Sequence, residues 1–229
     1  WILQMSYLPL MLKQLAFDNI CHEHLEYYSL SSFDYVIRQH GLKIVDVELN
    51  DINGGSFRIY VRKTSADDNL FATAPYRDVA EYRTSSIFEY ENKLNLNEPG
   101  TYTSWFKKVL ELKEKTVSFI KSEKSKGRTI WGYGASTKGN TLLQFFGLDS
   151  TLIDAIAERN PEKYGKRTVG TNILITSEAE MRKIQPDYLL MLPWHFVSEF
   201  ENREKEYLLA GGKFIVPCPK FGIISAKTS

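Results

Sequence analysis

The chain has 229 residues, of which 43% are hydrophobic and 25% are charged, a size and composition that allow one large domain or two modest ones. Lys and Arg number 29 against 28 Asp and Glu, and the net charge of +1 excludes the strongly basic footprint of many nucleic-acid-binding proteins. The 2 cysteines provide no disulfide framework, and no apolar run approaches the roughly 20 residues that span a bilayer. We therefore expect a cytoplasmic protein without nucleic-acid or membrane partners.

The first part of the chain predicts the closing elements of an α/β sheet. Residues 1–5 are apolar and predict a buried strand, and a short helix follows at residues 8–15. Because nothing before this strand could pair with it, we expect the chain to be the back part of a longer protein. Alternating apolar side chains predict two further strands at residues 43–49 and 56–62, joined by a turn rich in Asn and Gly.

A helix is predicted between the first strand and these two. Ser31 or Ser32 is its expected N-cap, because a serine hydroxyl can accept a hydrogen bond from a free amide of the first turn. The helix should run to about His40 and end at Gly41, since glycine adopts the left-handed conformation without strain.

The middle of the chain predicts a connector followed by a long helix. Residues 65–100 are polar and interrupted by prolines, with helical content around residues 77–94. Residues 101–125 then repeat apolar side chains every three to four positions, which predicts a helix with one buried stripe. The many lysines of this helix are most simply its solvated face.

Beyond Gly127, strands alternate with helices. The predicted strands are 128–134, 152–157, 172–175, 187–192 and 213–217, and the predicted helices end near Phe146, begin at Ser177 and span about 197–210. Apolar strands separated by helices form a parallel sheet covered on both faces, so this part predicts a Rossmann-like domain. We expect three parts: residues 1–64 close an α/β domain, residues 65–100 connect, and residues 101–229 form the Rossmann-like domain.

The sequence GYGASTKGN at residues 132–140 lies where a strand becomes a helix, a place where backbone amides and the helix dipole can bind phosphate. A Walker A loop has the same glycine spacing, but Asn140 stands where that loop needs a lysine. A dinucleotide fingerprint would have its third glycine two positions earlier, with Glu158 after the second strand as a ribose ligand. We favour a diphosphate or nucleotide site over a turn without a ligand. The expected extra donors are Ser136, Thr137 and Lys138.

The densest cluster of titratable groups is Cys21-His22-Glu23-His24. A zinc site would use Cys21, His22 and His24 as ligands, but the paired spacing of zinc motifs is absent. The imidazoles could instead be core groups that the backbone satisfies. In a third interpretation the cluster is catalytic, and one histidine removes a proton while Glu23 sets its tautomer or contacts substrate. The residues alone leave these alternatives open.

Five motifs, taken in order along the chain, resemble the sugar C-methyltransferases. They are FDNICHEHL at residues 17–25, NGGSFRIYV at 53–61, GYGASTKGN at 132–140, RNP at 159–161 and LPW at 192–194. That family uses S-adenosylmethionine to methylate carbon 3 of nucleotide-linked 4-keto-deoxysugars. The resemblance implies the last strands of the central methyltransferase domain and the whole Rossmann-like C-terminal domain. The glycine loop for the cofactor and the zinc-binding domain would lie upstream of Trp1, so we expect the isolated chain to be inactive.

The resemblance also implies roles for individual residues. His24 corresponds to the base of the family and Glu23 to a supporting residue, while Cys21 stands where the family has a tyrosine. We count all three as candidate catalytic residues. Tyr27, Tyr28 or Asn53 could replace the tyrosine as a donor to the enolate oxygen. The residues expected to bind the nucleotide-linked sugar are Asn53, Gly54, Gly132, Gly134, Ala135, Ser136, Thr137, Lys138, Glu158 and Trp194.

Two other classes of protein fit parts of the sequence. A non-catalytic nucleotide-binding module would use only the Gly-rich turn, and a nicotinamide-dependent oxidoreductase would use Glu158 to bind a ribose. Calorimetric titration with thymidine diphosphate and with NAD separates them, because heat with NAD alone would indicate the oxidoreductase.

Overall fold

The computed structural model describes residues 1–51, 55–66 and 75–226. They form two compact units, the first comprising Trp1–Gln14 and His24–Phe106 and the second Leu15–Glu23 and Lys107–Ser229. The chain therefore passes between the units after Gln14, after Glu23 and within a long helix. Within the described ranges no helix is long and apolar enough to cross a bilayer. The three-part division at residues 64 and 100 stays a prediction.

The first unit is built on a three-stranded antiparallel sheet in the order β1–β3–β2. Phe57, Ile59 and Val61 of β3 are buried while the side chains between them are partly exposed, which is the period-two pattern from which the strand was predicted. These three side chains share a core with Tyr7 and Leu30. The elements of this unit are β1 (Ile2–Ser6), α1 (Leu8–Lys13), α2 (Leu30–Arg38), β2 (Leu42–Asn50), β3 (Ser56–Lys63), α3 (Arg77–Leu94) and the start of α4 (Pro99–Ser125).

The N-terminus of α2 differs from the prediction. Its N-cap is Ser29, whose hydroxyl accepts a hydrogen bond from the Ser32 amide at 3.1 Å, so the expectation of Ser31 or Ser32 is wrong. The Ser31 hydroxyl instead donates to the carboxylate of Glu91 in α3, at 2.6 Å. At the other end Gly41 has a φ of +66°, which confirms the predicted left-handed residue.

The second unit contains a six-stranded sheet in the order β6–β5–β4–β7–β8–β9. Strands β4 to β8 run parallel to one another, and this confirms the predicted Rossmann-like α/β fold. Because successive strands are added outward from β4 in both directions, the topological switch point lies between β4 and β7. The elements are the rest of α4, β4 (Ile130–Tyr133), α5 (Thr137–Phe146), β5 (Ile156–Glu158), β6 (Ile175–Ser177), α6 (Glu178–Ile184), β7 (Tyr188–Met191), α7 (Val197–Arg203), α8 (Lys205–Leu209), β8 (Lys213–Val216) and β9 (Gly222–Ile224).

Two features of the second unit depart from the prediction. The last predicted strand, at residues 213–217, is β8, but β9 adds an antiparallel strand beyond it. The single helix predicted at residues 197–210 is two helices, α7 and α8, which meet at Glu204. The buried carboxylate of Glu204 accepts hydrogen bonds from the Tyr133 hydroxyl at 2.6 Å and from Arg182 Nε at 2.9 Å.

Candidate functional site

The segment that precedes the histidine cluster is anchored in the second unit. The ring of Phe17 lies 5.1 Å from the ring of Phe146 and 5.2 Å from that of Phe145, both in α5. The next residue, Asp18, is completely buried, and its Oδ2 accepts a hydrogen bond from the indole N–H of Trp194 at 3.0 Å. Two motifs that are far apart in the sequence, FDN and LPW, are therefore joined by a buried hydrogen bond.

The four residues of the cluster are divided between the units. Cys21, His22 and Glu23 belong to the second unit, and His24 begins the next stretch of the first. His22 Nε2 lies 4.0 Å from Glu23 Oε1, and both side chains are exposed. Cys21 is half-buried and interacts electrostatically with Lys138. In the first unit, the half-buried His24 meets the edge of the Tyr27 ring, with 6.4 Å between ring centroids.

A metal centre at this cluster has no geometric support. Among the residues that the structure describes, no group of three or more His, Cys, Asp and Glu side chains could hold a metal ion. The imidazole of His22 faces solvent. The catalytic role of His24 and the alternative of a core histidine both stay predictions.

The Gly-rich turn adopts the expected geometry at the carboxyl end of β4. Gly134 has a φ of +83°, and a Cβ there would come within 2.6 Å of the Pro193 ring, so only glycine fits without a shift. The hydroxyl of Ser136 caps α5 by accepting from the Gly139 amide at 3.0 Å. Because Pro193 lies so close to Gly134, the LPW motif, residues 192–194, packs directly against the turn.

The amides of the turn are already hydrogen bonded within the protein. The Gly134 amide donates to the Ala157 carbonyl at 2.8 Å, and the Ser136 amide to the Gly134 carbonyl at 3.1 Å. The Ala135 amide donates to Oε2 of Glu158 at 2.6 Å. These three amides are therefore not available to a phosphate group in this conformation.

The carboxylate of Glu158 fixes the Gly-rich turn by hydrogen bonds to backbone amides. Besides Ala135, its carboxylate accepts from the amides of Arg159 at 2.9 Å and Asn160 at 2.8 Å, and Lys163 Nζ lies 3.8 Å away. A ribose ligand would need free carboxylate oxygens, so the geometry does not favour the nicotinamide-dependent alternative. A contact between Glu158 and the sugar substrate stays a prediction.

A cavity of about 360 Å³ opens beside the turn at the switch point, within the typical size of ligand pockets, about 300–1,000 Å³. Tyr133 lies at its base, where burial and a hydrogen bond to Glu204 raise the pKa of the phenol. Arg203 donates to the Tyr133 hydroxyl at 2.9 Å and to Glu178 Oε1 at 2.9 Å, so this charged group is paired. Four predicted substrate-binding residues line the cavity: Gly134, Ala135, Ser136 and Glu158.

A second polar cluster lies around Asp18. Burial raises the pKa of Asp18 to about 6, and the Lys138 charge and the Trp194 hydrogen bond oppose that rise. Burial lowers the pKa of Lys138, an effect that the charges of Asp18 and Cys21 oppose. Burial, together with the charge of Lys138, lowers the pKa of His195 to about 4, so the imidazole is neutral at pH 7. Burial raises the pKa of the Cys218 thiol, as does the charge of Asp18.

Sequence reasoning selected only part of this second cluster. Lys138 and Trp194 were predicted, whereas Asp18 and His195 were missed. Each missed residue lies inside or directly beside a family-like motif, FDN or LPW, and that position was the available signal. The structure leaves other predictions untested: Asn53 and Gly54 lie outside the described residues, and substrate contacts by Gly132, Thr137, Lys138 and Trp194 stay predictions.

Comparison with known proteins defines the class. Residues 51–219 match the family described as the C-methyltransferase C-terminal domain. Since the match covers most of the sequence, the chain belongs to this family, and the family predicted from the motifs is confirmed.

A curated relative is C-methyltransferase NovU from Streptomyces niveus. It is 33% identical to this chain over 229 residues, which is 100% of this chain and 52% of the relative. The chain thus spans about half the length of the curated relative that it matches.

Proposed function

We propose that the chain is the C-terminal part of an enzyme of deoxysugar biosynthesis. The enzyme moves a methyl group from S-adenosylmethionine to carbon 3 of a nucleotide-linked 4-keto-deoxysugar. The observation that carries this proposal is the histidine cluster at residues 21–24 in a chain that belongs to a C-methyltransferase family. The relative's printed name supports methylation at carbon.

The chemistry that we assign to this chain is removal of a proton. A hydrogen on carbon next to a ketone is acidic because the resulting charge spreads onto oxygen, and imidazole is the usual side-chain base near neutral pH. We assign His24 as the base. Its ring is half-buried and packs against Tyr27, so part of the side chain stays accessible to a substrate. Glu23 remains the proposed supporting residue.

The enolate oxygen that forms needs a hydrogen-bond donor. In the family-like pattern a tyrosine stands at position 21, and here Cys21 occupies it. Of the candidates to replace that tyrosine, Tyr27 meets the His24 ring, whereas the Tyr28 hydroxyl donates to Glu26. We therefore favour Tyr27 as the donor.

S-adenosylmethionine would supply the methyl group from its sulfonium. The residues of the Gly-rich turn do not fit its adenosine half, since the amides of Gly134, Ala135 and Ser136 are bound within the protein and Glu158 accepts three of the chain's own amides. We place the main cofactor site outside this chain, as with the zinc-binding domain, and propose that the chain alone is inactive.

The base assignment is tested by His24→Asn in the full-length enzyme that contains this chain. Asparagine keeps a polar side chain of similar length but cannot take the proton, so methyl transfer to the 4-keto sugar should fall by about 10²–10⁴-fold. The assay follows the label from methyl-labelled S-adenosylmethionine into the sugar nucleotide.

His40→Asn is the matched control. His40 is exposed near the end of α2, so its replacement should leave the rate unchanged. Retention of more than a tenth of the wild-type rate by His24→Asn would remove His24 from the mechanism.

A further inference from the structure

Asp18, Lys138 and His195 form a cluster that the proposed proton abstraction does not use. Oδ1 of Asp18 and Nε2 of His195 are buried and have no hydrogen-bond partner within the described part of the chain. Asp18 is 0% exposed. Trp194 connects the two, because its indole N–H binds Oδ2 of Asp18 and its ring centroid lies 3.5 Å from that of His195.

Several buried side-chain atoms in the described part of the chain lack a hydrogen-bond partner, and Oδ1 of Asp18 is the carboxylate oxygen among them. Burying an acceptor without a partner carries its full desolvation cost, and native proteins pair most such atoms. The buried acids Glu91 and Glu158 each accept several hydrogen bonds. The amide of Asn19 beside Asp18 donates to the Ala16 carbonyl at 3.2 Å, and the backbone amides of Asp18 and Asn19 also lower the pKa of the Asp18 carboxyl. Oδ1 of Asp18 is therefore a buried acceptor without a hydrogen-bond partner among the described residues.

The charges of the cluster limit the chemical class of that ligand. The ammonium of Lys138 interacts with the carboxylate of Asp18, so the cluster already holds one charge of each sign. Asp18 would repel a phosphate group, and Lys138 would repel a metal cation. A hydroxyl group is neutral and both donates and accepts. It can donate to Oδ1 of Asp18 and accept from Lys138 or from the ring of His195.

We propose that Asp18, Lys138 and His195 form a subsite that binds a hydroxyl group of the nucleotide-linked sugar, with Oδ1 of Asp18 as the acceptor. The identity of the ligand rests on the proposed function. The sequence suggested that Lys138 binds a diphosphate. In this subsite Lys138 binds a hydroxyl group instead, because the carboxylate of Asp18 already balances the charge of Lys138. The hydroxyl belongs either to the hexose or to the nucleoside sugar.

The test is calorimetric titration of the full-length enzyme that contains this chain, using thymidine diphosphate-glucose and thymidine diphosphate as probes. Asp18→Asn keeps the side-chain shape and an acceptor for Trp194 but replaces the free carboxylate oxygen. We expect about tenfold weaker binding of thymidine diphosphate-glucose, the effect of one lost hydrogen bond. Unchanged binding of thymidine diphosphate would place the hydroxyl on the hexose, and equal weakening would place it on the nucleoside sugar.

Two further variants keep the proposal testable. His195→Phe preserves an aromatic ring beside Trp194 and should weaken the same probe if Asp18→Asn does not fold. Glu91→Gln is the control, because Glu91 is a buried acid of the first unit whose hydrogen bonds are complete; it should lower the melting temperature and leave both affinities unchanged.

The outcomes separate this subsite from the proposed function. If the wild-type enzyme binds thymidine diphosphate-glucose and both Asp18→Asn and His195→Phe bind it equally well, the subsite is wrong while the proposed substrate class stands. If the wild-type enzyme binds neither probe, the proposed substrate class and the subsite both fail.

Discussion

Glu91 in the first unit and Asp18 in the second are both buried acids, exposed by 3% and 0%, but their hydrogen bonding differs. The Glu91 carboxylate accepts from the Tyr7 hydroxyl at 2.8 Å, the Leu30 amide at 2.6 Å, and the amide and hydroxyl of Ser31 at 2.8 and 2.6 Å. Asp18 accepts one bond from Trp194, and its second oxygen has no partner among the residues described.

The difference separates a structural acid from a candidate binding acid. Glu91 satisfies amides at the N-terminus of α2, where the helix dipole also favours a negative charge. Burial raises the pKa of Tyr7, and the charge of Glu91 adds to that effect, so the phenol stays a donor. Asp18 lies in a single 3-10 turn, Phe17–Asn19, and its Oδ1 has no partner among the described residues. Burial alone therefore does not mark a functional acid, and we propose a binding role only for the acid whose hydrogen bonding is incomplete.

Of the changes that test this comparison, Glu91→Ala is expected to have the largest effect on stability. The change leaves the Tyr7 hydroxyl and two amides of α2 without their acceptor, so the free energy of unfolding should fall by about 3–4 kcal/mol. Urea denaturation measures this loss, and hydrogen exchange should show it at the amides of Leu30 and Ser31.

Glu81→Ala is the matched control in the same helix. Glu81 pairs with Arg77 on the exposed surface of α3, so its removal should leave the denaturation midpoint unchanged. Equal effects of the two changes would contradict a structural role for the hydrogen bonds of Glu91.

The second prediction concerns pH and Asp18. Since the folded pKa of Asp18 is raised from 3.8 to about 6, its contribution to stability is present below about pH 4 and is lost as the pH rises through 6. Asp18→Asn removes this loss, so its unfolding free energy relative to wild type should increase by about 2.5 kcal/mol between pH 4 and pH 7. Chemical denaturation at a series of pH values measures the difference.

His195 provides the opposite sign as a control. Its folded pKa is lowered from 6.5 to about 4, so its contribution is present above pH 6.5 and is lost as the pH falls to 4. His195→Asn should therefore gain stability relative to wild type on acidification. A pH-independent difference for Asp18→Asn would show that the carboxylate titrates as it does in the unfolded chain.

The smallest effect is expected at the corrected N-cap. Ser29→Ala removes the side-chain acceptor for the Ser32 amide and should cost about 1 kcal/mol. Ser104→Ala on the exposed surface of α4 is the control and should not destabilise, because alanine is the better helix former. If Ser29→Ala is as stable in urea as Ser104→Ala, then Ser29 is not the N-cap, and the predicted Ser31 or Ser32 would be.

Local patterns predicted the elements of the fold better than the partners that fix their ends. The alternation of Phe57, Ile59 and Val61 and the glycines of the turn act within a few residues, so they can be recognised without a structure. Ser29 caps α2, and the amide and hydroxyl of Ser31 instead donate to Glu91, which lies 60 positions away. Such a pairing has no local signal.

The candidate site shows the same limit. The histidine cluster occupies four consecutive residues and could be predicted from the sequence. The boundary between the two units, which falls after Glu23 within this cluster, could not. Glu158 was expected at a ribose, and its position at the end of β5 gave no indication that the amides of Ala135, Arg159 and Asn160 donate to its carboxylate. Asp18 was not predicted as a site residue, because the sequence around a single acid gives no sign that Trp194, Lys138 and His195 lie near it in the fold.

The central claim is that His24 removes a proton from the carbon to be methylated. Its most direct test is exchange of that hydrogen for deuterium when the full-length enzyme is incubated with the 4-keto sugar nucleotide in D₂O without S-adenosylmethionine. The account predicts deuterium at carbon 3 with wild-type and His40→Asn enzymes, and none above background with His24→Asn. Exchange at the wild-type rate by His24→Asn would contradict it.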